Sequence, residues 1–420
     1  MKFLPALFCL LFTLSILPLS GAENWPAFRG TSQGHAPESY SVPLQWSSQE
    51  NIRWKVPVPG KAWSSPVVVG DVCFLTTAIE SEDATAPDRA KLFLKAMAVK
   101  LEDGSLIWET EIFETAAGRI HKKNSHASPT PLYEEGKIFA HFGHNGTACL
   151  AADSGKIIWK TSEHSYSPVH GSGSSPVIAG NNLVFSADGK DDPVLIALNK
   201  MDGTLSWKTA RNLDIRRKFS FCTPLIITVK GNPQIISPCS GAVVSYDPET
   251  GKEIWRCRYG EGYSVTPRPV FANGLIYASS GFDRAIAYAI RPDGKGDVTD
   301  THIAWTYSKT VPRESSFIVV GDEFYMNDDK GILTCLDAHN GELHYAERIS
   351  PEGGYSGSPV YASGHLFFTN GEGVTTVIKP GKTFQKVAEN RLDEYGLSTF
   401  AVLSDGFLHR TENHLIRIGE

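Results

Sequence analysis

A short motif recurs along this chain: a turn containing Gly, three further residues, then a large aromatic. It reads Asp103-Gly104…Trp108, Asp153-Ser154-Gly155…Trp159, Asp202-Gly203…Trp207, Glu249-Thr250-Gly251…Trp255 and Asn340-Gly341…Tyr345. Trp54 and Trp305 continue the series without that turn, and successive aromatics lie 40 to 54 residues apart. Self-similarity at this period belongs to units that bury their apolar faces only against neighbouring units, so the chain must form a stacked or radial array.

The content of one unit chooses between the two. Before and after Asp153-Ser154-Gly155 lie four short apolar runs, residues 128–132, 137–141, 148–152 and 156–161. Gly- and Asn-rich turns separate them, which is the pattern of a four-stranded meander. Four-stranded sheets repeated about an axis make a β-propeller. Most units open on a small residue and Pro, as in Ser65-Pro66, Ser128-Pro129, Ser175-Pro176, Thr223-Pro224 and Ser358-Pro359. Pro costs least where a strand begins, so these pairs should start the innermost strands.

The blade count follows from the two ends. Residues 398–403, 406–411 and 414–418 supply three strands, and then the chain stops. Residues 51–58, which carry Trp54, can supply the fourth. The expected fold is therefore all-β: an eight-bladed propeller of four-stranded antiparallel blades, its ring closed by an N-terminal strand and its sheet edges removed. Trp54, Trp108, Trp159, Trp207, Trp255, Trp305 and Tyr345 should dock between neighbouring sheets. Residues 50–420 form one propeller domain, and residues 23–49 an extended arm over it, with Trp25 and Phe28 as anchors. Residues 79–91 (with Glu80, Glu82, Asp83 and Asp88) and 293–300 are insertions.

Residues 1–22 read as a signal peptide: Lys2, an apolar stretch from Phe3 to Leu19, then Ser20-Gly21-Ala22 before the expected cleavage. An exported protein, periplasmic or secreted, is expected. No later apolar run is long enough for an integral membrane segment. The net charge of −6 lacks the basic footprint of a nucleic-acid partner. A monomer is expected. Six cysteines follow the leader, none in a CxxC motif; Cys222 and Cys239 flank a predicted hairpin, residues 223–236, and are placed to pair in an oxidising compartment.

In a propeller the loops leading into the innermost strands, and those joining strands two and three, gather around one mouth of the channel. This face is the default binding site. Its candidates are Trp63, His121, His126, His144, His170, Arg217, Arg268, Asp283, Arg284, Arg313 and Tyr355. Six of 13 histidines fall between residues 121 and 170. His141 and His144 could share a metal, but no carboxylate motif completes a site, and none is expected. Arg216-Arg217-Lys218-Phe219 suggests attraction of an anionic ligand or acidic partner. No nucleophile elbow or zinc-protease motif is present, and no catalytic residue can be named.

The segments 197–207, 245–255 and 335–345 resemble the tryptophan-docking repeat of the pyrroloquinoline-quinone-like (quinoprotein) propellers. The opening Asn24-Trp-Pro-Ala-Phe-Arg-Gly30 is similar to exported repeat proteins of planctomycete-type bacteria. One branch of the superfamily, the dehydrogenases, implies a quinone held with Ca²⁺ under a disulfide between adjacent cysteines; this chain has no adjacent cysteines. The other branch resembles the β-barrel assembly lipoprotein, a scaffold for partner proteins; no lipobox Cys is present here. The expectation is a binding scaffold for a protein or glycan, without bound quinone. A quinone- or metal-dependent oxidoreductase and a polysaccharide hydrolase or lyase are the alternatives.

Overall fold

The computed structural model describes residues 23–81, 90–350 and 353–420. Residues 1–22, read from sequence as a signal peptide, and residues 82–89 of the acidic insertion lie outside the described residues. The described strands form eight sheets, and each contains a four-stranded antiparallel meander. In the second blade the strands are Leu132–Glu134, Lys137–His141, Thr147–Ala151 and Ile157–Thr161. The last blade takes Ala401–Leu403, Gly406–Arg410 and His414–Gly419 from the C-terminus and Ile52–Pro57 from the N-terminus. Trp54 lies opposite Arg417 and Val56 opposite Leu415 across that seam.

The recurring motif is the contact between blades. Each docking Trp donates its indole N–H to a carbonyl of the next blade: Trp54 to Leu101 (3.0 Å), Trp108 to Ala152 (2.9 Å), Trp159 to Lys200 (3.1 Å), Trp207 to Pro248 (3.2 Å), Trp255 to Pro292 (3.0 Å) and Trp305 to Ala338 (2.9 Å). For all of these but Trp255, the motif Gly of that next blade lies against the same ring. Gly155 has φ +67°, and a methyl there would sit 2.5 Å from the Trp108 ring. The spacing therefore records two demands on one Gly, a left-handed turn and a close approach to an indole. Tyr345 packs between blades six and seven, with its ring 5.7 Å from Phe384. The core is correspondingly a series of slabs between sheets, such as Phe74, Ala98 and Trp108 of blade one against Ile138 and Leu150 of blade two.

Three expectations need correction. Cys222 and Cys239 are buried and unpaired. Cys222 Sγ turns toward the next blade and donates to the Pro267 carbonyl (3.1 Å), while Cys239 Sγ donates to Ala242 within its own hairpin (3.3 Å). The residue equivalent to Ser65 in blade two is Thr130, before Pro131, and not Ser128; the run opens two residues later. The 293–300 insertion is no mere lengthened turn: Gly296–Asp297 adds a parallel strand to the outer edge of the preceding blade, beside Trp255 and Arg256.

The arm is also placed differently. Its first half runs through the central channel rather than over the ring. Asn24–Trp25 pairs with the innermost strand of blade one. The Pro26 carbonyl accepts the Tyr133 N–H of blade two (2.8 Å), and Gln33 exchanges two hydrogen bonds with Phe271 of blade five (3.1 and 2.7 Å). Gly34 and Ala36 pair with Tyr361 of blade seven. The chain then leaves along blades seven and eight, where Trp46 packs on Phe367, Phe400 and Phe407.

Candidate functional site

Eight equivalent positions ring the channel where the innermost strands begin: Ser65, Thr130, Ser175, Thr223, Arg268, Ser316, Ser358 and Thr399. At six steps of this ring, a backbone N–H donates to the hydroxyl of the next blade. These are Ser65 to Thr130 (2.9 Å), Thr130 to Ser175 (2.9 Å), Ser175 to Thr223 (2.9 Å), Arg268 to Ser316 (3.0 Å), Ser316 to Ser358 (3.1 Å) and Ser358 to Thr399 (2.9 Å). A short hydroxyl suits this place because it satisfies a buried N–H that the sheet ladder leaves over.

The seven hydroxyls form the lower wall of a cup of about 350 Å³ at the channel mouth. Phe28 of the arm also lines it, so the protein's own N-terminus closes the channel beneath. Arg268 departs from the pattern. Its guanidinium donates to the carbonyls of Phe28 (2.7 Å) and Pro224 (3.3 Å), tying the arm to the ring.

Above the hydroxyls the lead-in loops interlock. His170 Nε2 meets the Tyr263 hydroxyl at 2.9 Å, and its ring stands edge-on to His121 at 5.7 Å. Burial, and then the neighbouring His121, lowers His170 below the ordinary histidine range, which favours the neutral ring at pH 7. The Arg217 guanidinium lies 4.3 Å from the Tyr263 ring centre and pairs with Asp283. The Asp283 carbonyl accepts Arg313 Nη2 (3.3 Å), and Arg313 covers the Phe282 ring at 4.9 Å. Asn124 anchors the blade-two loop, donating to the carbonyls of His170 (2.9 Å) and Ser172 (3.2 Å). From that loop Lys123 reaches Glu314 of blade six at 2.7 Å. Those blades are four places apart in a ring of eight, so the ion pair spans the mouth. Glu314 also accepts the Ser356 hydroxyl (2.6 Å).

The sequence profile of the outer membrane protein assembly factor BamB family matches residues 65–209, 95–341 and 240–419. The chain belongs to the BamB family. The outer membrane protein assembly factor BamB of Yersinia pestis is 25% identical over 365 residues, covering 83% of this chain and 86% of that protein. BamB from Moraxella catarrhalis superposes with a TM-score of 0.62 at 12% identity, over 90% of this chain and 98% of that one. The computationally designed protein Ika8 gives 0.57 at 8% identity, over 88% and 99%. These two likenesses are of fold.

Within this BamB-family propeller, the mouth brings together Trp63, His121, His170, Arg217, Asp283 and Arg313, all proposed from sequence. Trp63 lines the cup and is fixed by its indole N–H on the Lys123 carbonyl (2.9 Å). Arg284 is exposed but does not line the cup. The other candidates are turned away. Tyr355 is fully buried between blades six and seven. Arg268 points to the arm. His126 is buried behind the loop, and burial lowers its pKa. His144 lies against Ser172 and Tyr166, outside the cup. His141 is stacked on Phe185 at 4.1 Å with Nδ1 on the Thr147 hydroxyl (2.8 Å); burial lowers it to about 3. Its Nε2 is buried without a protein partner. Among the described residues, no three His, Cys, Asp or Glu side chains converge as a metal requires.

The residues missed from sequence are Phe28's role as floor, the hydroxyl ring, and the Lys123–Glu314 bridge. The small-residue-before-Pro signal marked the ring but was read only as strand punctuation. The donor set does not fit a calcium-held quinone. Ca²⁺ takes six to eight oxygens with several carboxylates. Glu314 is the acid lining the cup, and it is already paired with Lys123 and Ser356.

Proposed function

We propose that this chain is an exported scaffold that holds an acidic segment of a protein partner in the cup, without a bound quinone, and that it does so as a monomer. The observation that carries this is the cup itself: a closed-bottomed site lined by Lys123 and Arg313, with Glu314 beside Lys123 (2.7 Å) and Asp329 at the longer distance of 3.8 Å from Arg313. Cationic groups around a concave mouth in an acidic protein raise the local concentration of an anionic partner. Membership of a family named for outer membrane protein assembly supports a protein as the occupant. A photo-crosslinking residue at Phe282, on the rim, should capture an envelope protein, and one at Lys137, in the turn at the opposite end of the strands, should not. The Phe282 adduct should vanish in a Lys123→Glu/Arg313→Glu variant. Equal capture at both positions, or capture that survives the charge reversal, refutes the reading.

A glycan in the same cup is the second reading, favoured by the three aromatic side chains Trp63, Tyr263 and Phe282 in its lining. Saturable binding of an acidic polysaccharide by calorimetry separates it from the first. The quinone alternative is tested by thermal unfolding with pyrroloquinoline quinone and Ca²⁺. A ligand at 100 times its Kd would add about 2.7 kcal/mol, and no shift is expected.

A further inference from the structure

The segment Asn24-Trp-Pro-Ala-Phe-Arg-Gly30 does more than floor the cup. Arg29 (φ +64°) and Gly30 (φ +63°) turn the chain so sharply that a methyl on Gly30 would strike the Trp25 ring at 2.7 Å. A methyl on Gly34 would meet Arg29 Nη2 at 2.8 Å. The arm is thus wrapped around the Arg29 side chain, which is fully buried in the channel. Its Nη2 donates to the Pro359 carbonyl (3.3 Å), while Nε and Nη1 are buried without a protein partner. Arg268 stands beside it, held on the carbonyl of Phe28, the residue before Arg29. Burial, and then the charge of Arg268, pulls Arg29 down to about 9.

Neither guanidinium enters an ion pair among the described residues. A fully buried guanidinium with a half-buried one beside it, both with only carbonyl partners, is an arrangement that an anion between them would compensate. Each unpartnered N–H of a buried guanidinium is a charge-assisted donor for an anion. Arg268 also lines a second cavity of about 330 Å³, on the far side of the arm from the cup, bounded by Gly30, Thr31 and Gln33. The acid in its wall, Glu134, is already paired with Lys200 at 2.6 Å.

We propose that Arg29 and Arg268 together hold a small inorganic anion inside the channel, a structural ion that fixes the N-terminal arm to the ring. The site is separate from the cup and does not depend on what the cup binds. Purified full-length mature protein is exchanged into HEPES–gluconate and titrated with inorganic phosphate, and in a second arm with chloride, at constant ionic strength. The expected result is a saturable rise in Tm with one equivalent bound by calorimetry; the arm of the experiment that saturates at lower concentration tells oxyanion from halide. Arg268→Met should weaken binding at least tenfold. Because that change also frees the Phe28 carbonyl, Arg29→Met is measured beside it, with circular dichroism confirming the fold. The proposal is overturned if neither anion saturates on the parent protein, or if both variants bind with unchanged affinity.

Discussion

The outer rim and the central axis of this propeller are built by opposite rules. At the rim one contact, an indole N–H to a carbonyl of the next blade, is made six times, and in five of them the indole lies on a glycine. At the axis seven blades offer a hydroxyl and the eighth offers Arg268, which binds an arm that belongs to no blade. Repetition marks what every blade needs in order to pack. The exceptions mark where this chain differs from a generic ring, and there the cup, its floor and the buried arginines are found.

The comparison can be broken outright at the seam. Removing residues 23–58 deletes the arm and the closing strand together, leaving two open sheet edges. The product should run as aggregate in gel filtration; a soluble protein with a single cooperative transition would contradict the closure. Next comes a single rim contact: Trp207→Ala should cost about 3–5 kcal/mol in urea unfolding.

Acid attacks sites between sheets rather than the docking contacts. His141 and His409 are both held neutral, each lowered by burial to about 3. Unfolded, each takes up a proton near pH 6.5. The fold therefore binds fewer protons than the unfolded chain between about pH 6.5 and 3. Stability is full above that window and falls as pH drops through it, by about 1.4 kcal/mol per unit for each histidine. His141→Phe should flatten the pH dependence of Tm below 6.5; an unchanged slope would remove His141 from the account.

A smaller rim effect is expected from Gly155→Ala. The left-handed turn costs about 1–2 kcal/mol for any L-residue, and the Trp108 ring must also shift. At the axis the smallest change is informative for another reason. The Lys123–Glu314 pair is about one-third exposed on both sides (33% and 32%), so Glu314→Gln should alter stability by less than about 1 kcal/mol. Its effect should appear in binding: an acidic partner peptide should bind more tightly at low salt, and the gain should disappear at high salt.

Much of the rim was legible in the sequence because its physics is local and repeated. A Gly that must adopt positive φ under an indole leaves a fixed spacing, and five copies make it unmistakable. The closing strand was legible by subtraction, since three C-terminal strands lacked a fourth. The axis was harder. Lys123 meets Glu314 across 191 residues, and no pattern links them. Arg268 was read as a face residue because it occupies a lead-in position, yet its side chain follows the arm inward. Tyr355 likewise came from a lead-in loop and turned into the core. Six histidines within fifty residues looked like one cluster, but strand alternation sends His141 into the sheet stack while His121 and His170 stay at the mouth. Loop position predicts which end of a blade a residue occupies, and says nothing about which way its side chain points.

The shared last blade also sets the order in which this molecule can be completed. Arg53 bonds the backbone of Glu420 across 367 residues, and Glu23 holds Ser404 across 381. Contacts of such sequence separation are entropically late and slow to form. A chain emerging N-terminus first must keep its closing strand, Ile52–Pro57, unpaired until the final residues arrive, so the ring becomes a timer: closure waits for the last blade, and an interrupted synthesis product carries an open edge by which it can be told from a finished one.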